Sequence, residues 1–188
     1  FLNELQLPLE EALAVAKEIG VEYVWFSRLI DLPTVIELSD AEIDNVGSLI
    51  DAYGLKHLQI SAGVPFKSID LINLDIHNMA EHPEFRRDFD NLVTSMKIAN
   101  RLNVGAVSVY GFAWPGEYTA GKPTWPMRWL TRGGVISEGE MAKIVKAFSM
   151  VADEAEKHDV DVVVMMMPWN YTNTTVHFRE VAQRVGSS

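Results

Sequence analysis

Apolar positions along the chain follow two alternating rhythms. Stretches with hydrophobic residues three or four apart lead, after a short polar turn, into compact runs of Val, Ile and Leu. The step recurs in Ala12–Phe26, Val46–Ile60, Ser95–Tyr110 and Phe148–Met167. The helical rhythm predicts a first helix over Leu5–Ile19, with Leu9, Leu13, Ala16 and Ile19 on one stripe, Pro8, Glu10 and Glu11 in the first turn and Gly20 as its stop. A second begins near Ser39, where Glu42 three residues on completes a capping box, and stops at Gly54. A third covers Glu84–Leu102. A fourth starts at Ser137 with Glu140 as its box partner, ends near His158, and a fifth runs over Thr174–Val185. The intervening runs predict strands at Val21–Ser27, His57–Ser61, Ala106–Phe112 and Asp161–Met167.

Strands rich in Val and Ile without alternation indicate a parallel sheet covered on both faces, and the alternation of helix with strand gives the α/β class. A (β/α)8 barrel and an open doubly wound sheet both satisfy it. The glycine-rich dinucleotide fingerprint of the open sheet is absent from the sequence. The long connections, Gly63–Pro83 and Ala113–Ser137, both follow strands, where barrel enzymes build their sites. A full barrel takes about 250 residues. The chain, 188 residues long, therefore reads as a single partial barrel domain over 1–188, strands two to five with flanking helices. Such a piece leaves two parallel edges, so either more protein completes the barrel or a second copy or a partner chain covers them.

Composition narrows the partners. The net charge is −10, with no basic run to engage a polyanion, which excludes nucleic acid. The longest apolar run, around Val162–Met167, is too short to cross a bilayer, and a cytoplasmic location is expected. With no cysteine, disulfides, thiolate catalysis and Cys-ligated zinc are out.

Candidate chemistry gathers after the last two strands. The loop after the third strand carries Phe112, Trp114, Tyr118, Trp125 and Trp129, and so holds three of the five tryptophans. Such a wall can stack on the C–H face of a sugar, while Arg128 can hold an anionic group; a self-packed loop is the alternative. The segment Met165-Met166-Met167-Pro168-Trp169-Asn170-Tyr171-Thr172-Asn173-Thr174 leaves a strand and enters a helix. Thr172, Asn173 or Thr174 can cap that helix, and Trp169 and Asn170 stand at the strand end. Trp114, Trp125, Arg128, Trp169 and Asn170 are the expected substrate-binding residues; no catalytic residue is assigned. His77 and His82 match no metal template, His57 starts a strand, and His177 is expected to face solvent.

Together, Ala14-Val15-Ala16-Lys17-Glu18-Ile19-Gly20-Val21-Glu22-Tyr23-Val24, Gly54-Leu55-Lys56, Ala99-Asn100-Arg101-Leu102-Asn103-Val104-Gly105-Ala106 and the Pro168–Thr174 exit resemble the xylose isomerase-like barrel family of sugar phosphate isomerases and epimerases. The resemblance implies metal-assisted proton transfer on a sugar or polyol-like substrate. It implies a divalent Mn, Mg or Zn held by a Glu of the fifth strand and by later Asp, His and Glu residues. Here the fifth-strand position falls at or beside Met165, and the later ligands would lie past Ser188, so no metal ligand is assigned. A metal-free homologue that binds a ligand or pairs with a catalytic subunit is the alternative.

Overall fold

The computed structural model describes residues 1–115 and 134–186. They form two compact units. One comprises Phe1–Gly63, Asn91–Val109 and Ala155–Val163; the other comprises the remaining described residues. Among the described residues, five α-helices and five short strands follow in the order α1 (Leu9–Ile19), β1 (Tyr23–Val24), α2 (Asp40–Ala52), β2 (Lys56–His57), β3 (Ile60–Ser61), α3 (Pro83–Arg101), β4 (Ala106–Tyr110), α4 (Glu138–His158), β5 (Asp161–Met165) and α5 (Thr175–Val185). β1 pairs with β2 in parallel, and β3, β4 and β5 form a second sheet in that order, with β3 parallel to β4. The chain is thus an α/β protein with parallel strands, as its rhythm predicts.

The first unit departs from the predicted elements at three places. The expected helix Leu5–Ile19 is broken: a 3-10 turn at Leu2–Leu5 ends in Gln6 at φ 54°, and α1 starts only at Leu9. Pro8 has no side chain that can cap, so the Leu9 N–H donates to the Asp31 carboxylate, 3.1 Å away in the loop after β1. The expected strand Val21–Ser27 contracts to two residues, because the N-terminal segment takes over its backbone. Leu2 N–H donates to the Trp25 carbonyl, the Asn3 and Ser27 side chains join, and the Phe1 ring stacks on Trp25. The expected strand His57–Ser61 divides: its first half pairs with β1 (Tyr23 with Lys56, Val24 with His57), its second with β4 (Ile60 with Val107, Ser61 with Ser108).

The capping boxes stand where the sequence sets them. The Glu42 carboxylate accepts from Ser39 N–H at 2.8 Å, and the Glu140 carboxylate from Ser137 N–H at 2.9 Å. β4 and β5 stop at Tyr110 and Met165, two residues short of the predicted ends, because hydrogen bonds between the two exit loops replace the ladder there.

In the second unit the core is aromatic. Phe66 stacks on Phe85 and Phe112, with centroids 5.1 and 5.2 Å away, and meets Phe148 edge-on. Its backbone is left-handed, at φ 65°, an uncommon state for a residue with a Cβ. The buried Asp88 carboxylate holds it there by accepting from the Phe66 N–H at 2.7 Å.

Candidate functional site

Two exit loops are stitched together in the second unit. Trp114 N–H donates to the Trp169 carbonyl and Tyr171 N–H to the Phe112 carbonyl, each at 2.9 Å, flanking an antiparallel bridge between Ala113 and Asn170. This brings three of the expected site residues, Trp114, Trp169 and Asn170, into one cluster. Trp125 and Arg128 lie outside the described residues.

Asn170 is fully buried and its amide serves the backbone. Nδ2 donates to the Met165 carbonyl at 2.9 Å, and Oδ1 accepts from Met167 N–H at 3.2 Å. The side chain thereby closes the turn that carries Pro168 and Trp169. Gly111 sits against this turn, and a Cβ there would come within 2.9 Å of the buried Thr172 hydroxyl.

Trp114 packs its ring 4.1 Å from that of Tyr171. The Tyr171 hydroxyl donates to the Glu140 carboxylate at 2.7 Å, which ties the cap of α4 to the loop after β5. Burial alone would raise the Glu140 carboxyl, but hydrogen bonds from Ser137 and Tyr171 outweigh it and hold the group below its ordinary range. Burial and the same carboxylate push the Tyr171 phenol up. The Trp114 indole N–H and the Thr172 hydroxyl find no hydrogen-bond partner among the described residues.

Trp169 is buried, and its indole meets both the Tyr110 ring, 5.6 Å between centroids, and the Lys67 ammonium, 5.3 Å from the ring centre. Burial lowers the Lys67 ammonium and raises the Tyr110 phenol. His177, expected in solvent, is instead half-buried. Its Nδ1 lies 3.1 Å from the Tyr171 carbonyl, an arrangement that calls for the proton on Nδ1. Thr174 caps α5 by accepting from His177 N–H.

A concavity of about 720 Å³ lies in the first unit, beside the starts of β1 and β2 and the turn before β4. Its cations are already paired, Lys56 with Glu22 and Arg101 with Asp40 and Asp44. It borders His57, which burial beside Phe26 pushes down to about 4.

Residues 13–188 match the family model of the xylose isomerase-like TIM barrel. The chain belongs to that family. Among solved structures, this xylose isomerase-like barrel is similar to a xylose isomerase-like TIM barrel protein from Mycobacterium smegmatis in complex with magnesium (15% identity, TM-score 0.64), covering 97% of this chain and 55% of that one. It is similar to L-ribulose 3-epimerase (17% identity, TM-score 0.63), covering 96% of this chain and 52% of that one. It is also similar to the IOLI protein with a binding zinc atom (19% identity, TM-score 0.64), covering 98% and 56%. The xylose isomerase-like chain thus spans just over half the length of each. No curated protein matches it in sequence.

A divalent cation of the kind seen in two of those structures does not fit the described residues. The exit of β5 is Met165, Met166 and Met167, which bring only thioether sulfur. Among the described residues, no three His, Asp or Glu side chains gather as a metal site would need. No helix among them is long and apolar enough to cross a membrane.

Sequence reasoning passed over Lys67, Asp88 and the joining of Glu140 to Tyr171. For Lys67 one signal was present: a cation directly after Pro65-Phe66, just past a strand end, in the same long loop type that held the aromatic residues.

Proposed function

We propose that the chain forms the sugar-binding part of an isomerase or epimerase of this family, acting on a sugar or polyol-like small molecule, with Trp114, Trp125, Arg128, Trp169 and Asn170 around the substrate. The observation that carries this reading is the stitched pair of exit loops, which holds two tryptophans just past the C-terminal ends of two adjacent strands, β4 and β5. Barrels of this class hold their sites at that end. Epimerase neighbours support the substrate class. Trp114 and Trp169 act as rigid apolar walls, and Asn170 fixes the turn that presents Trp169. Any cation would draw its ligands from residues other than the described ones, so the reading rests on substrate binding.

The test incubates the full-length protein with a panel of aldoses and ketoses and follows C–H exchange and product formation by NMR. Turnover of at least one sugar is expected, and Trp169→Ala should lower kcat/KM by about tenfold or more while the fold persists. Absence of both turnover and binding across the panel would overturn the reading.

The methionine triplet favours a second reading, a metal-free barrel that binds a ligand or pairs with a catalytic subunit, through an uncovered edge or as a second copy. Elemental analysis of the full-length protein separates the two. Stoichiometric manganese, magnesium or zinc together with turnover sinks the second reading.

A further inference from the structure

The concavity in the first unit lies where two helices end. Its wall takes Ile50 and Asp51 from the last turn of α2, and Arg101 to Val104 from the end of α3 and the turn that follows. A helix ends on the negative pole of its dipole, so both ends bring the same sign to this space. Helices favour a cation at that pole. α2 has no basic residue in its last turn and places Asp51 there instead.

The cations along the wall do not make up for this. Lys56 is paired with Glu22, and Arg101 with Asp40 and Asp44. The Asp51 carboxylate has no hydrogen bond or ion pair among the described residues. His57 stands near enough for the Asp51 charge to act on its ring. Partial burial against Phe26 keeps that ring uncharged at neutral pH, so one nitrogen donates and the other accepts. Neither nitrogen is hydrogen-bonded to a described residue. Ile50 and Val104, both buried, and Leu102 give the wall its apolar part.

Two helix ends, an unpaired carboxylate and a neutral acceptor together favour a positive charge that donates hydrogen bonds. A metal ion is poorly served, because no three His, Asp or Glu side chains gather among the described residues. An ammonium needs less: its three N–H donors are met by a carboxylate, an imidazole nitrogen and water. At about 720 Å³ the space is of the size of small-molecule sites and has room for an apolar body behind such a head.

We infer that this concavity binds an organic ammonium ion carried on an apolar body, with Asp51 and His57 at the ammonium and Ile50, Leu102 and Val104 against the apolar part. Nothing in the sugar reading depends on this site.

The test is calorimetric titration of the full-length protein at neutral pH with 2-phenylethylammonium, 2-phenylethanol and 3-phenylpropanoate. The three carry a similar apolar body behind a positive, a neutral and a negative head. The ammonium should bind about tenfold or more tightly than the alcohol, and the carboxylate should not bind. Asp51→Asn, a change at an exposed position, should remove that preference. His57→Phe keeps a ring against Phe26 and should weaken ammonium binding about threefold or more. Glu10→Gln makes the same change of net charge on α1 and should leave the preference intact. Equal binding of ammonium and alcohol, a preference that survives Asp51→Asn, or one that Glu10→Gln removes as fully, overturns the site. So does ammonium binding untouched by His57→Phe, or failure of the ammonium to bind.

Discussion

At the scale of single residues, two positions carry consequences that solution measurements can read. His57 is a half-buried imidazole packed against Phe26, and its partial burial pushes it from 6.5 down to about 4. The unfolded chain takes up this proton near pH 6.5 and the folded chain only near pH 4. The contribution to stability is therefore complete above pH 6.5 and is lost as pH falls toward 4, by up to about 3 kcal/mol. Urea unfolding from pH 4 to 7.5 should show this slope, and His57→Gln should flatten it; an unchanged slope in the variant refutes the assignment. Gly111 is the second position. Alanine there would meet the Thr172 hydroxyl at 2.9 Å, and a buried β-branched side chain has little freedom to turn away. Gly111→Ala should cost about 1–3 kcal/mol, and Thr172→Ala in the same chain should recover part of it. Additive losses in the double variant would show that the two do not meet.

Among elements, the capping box of α4 does more than end a helix. Its Glu140 also accepts the Tyr171 hydroxyl, so the helix start and the loop after β5 share one carboxylate. Tyr171→Phe keeps the ring against Trp114 and removes only that bond, which at a charged acceptor should cost about 1.5–3 kcal/mol. Because Glu140 titrates below its ordinary 4.5, the stability it supplies is present above that pH and lost as pH falls through its lowered folded value, and Tyr171→Phe should narrow that acid loss. Thermal unfolding at pH 7 and pH 4 reads both effects, and equal losses at the two pH values would contradict the coupling. The boxes themselves were legible from Ser39 with Glu42 and Ser137 with Glu140, because a cap is written within four residues. The start of α1 was not, since its cap is Asp31 and nothing local announces a carboxylate twenty-two residues away. Likewise β1 shortens because Leu2 and Asn3 claim the backbone that the Val-rich pattern had assigned to a strand.

For the whole molecule, parallel strands between helices were readable from hydrophobic period alone, and the family followed from the joined patterns. The family match over residues 13–188 and the likeness to solved barrels at 15–19% identity agree on fold. The candidate site was legible only in part. Trp114, Trp169 and Asn170 announced themselves as aromatic and amide residues at strand exits. Lys67 did not, because its place over Trp169 depends on a left-handed backbone at Phe66 and on Asp88, both set by packing over long sequence distances.

One feature of the sheets reaches further than pairing. The stretch from Lys56 to Ser61 answers to two neighbours, β1 through its first half and β4 through its second. A slip by one residue in either ladder would send Ile60, now 1% exposed, to the opposite face. The other ladder forbids it. Most strands guard against such slippage with the apolar pattern of a single face; this one is gauged twice, at its two ends, against different partners. Its alignment therefore survives the weakening of either partner, and both must be lost before the stretch can shift.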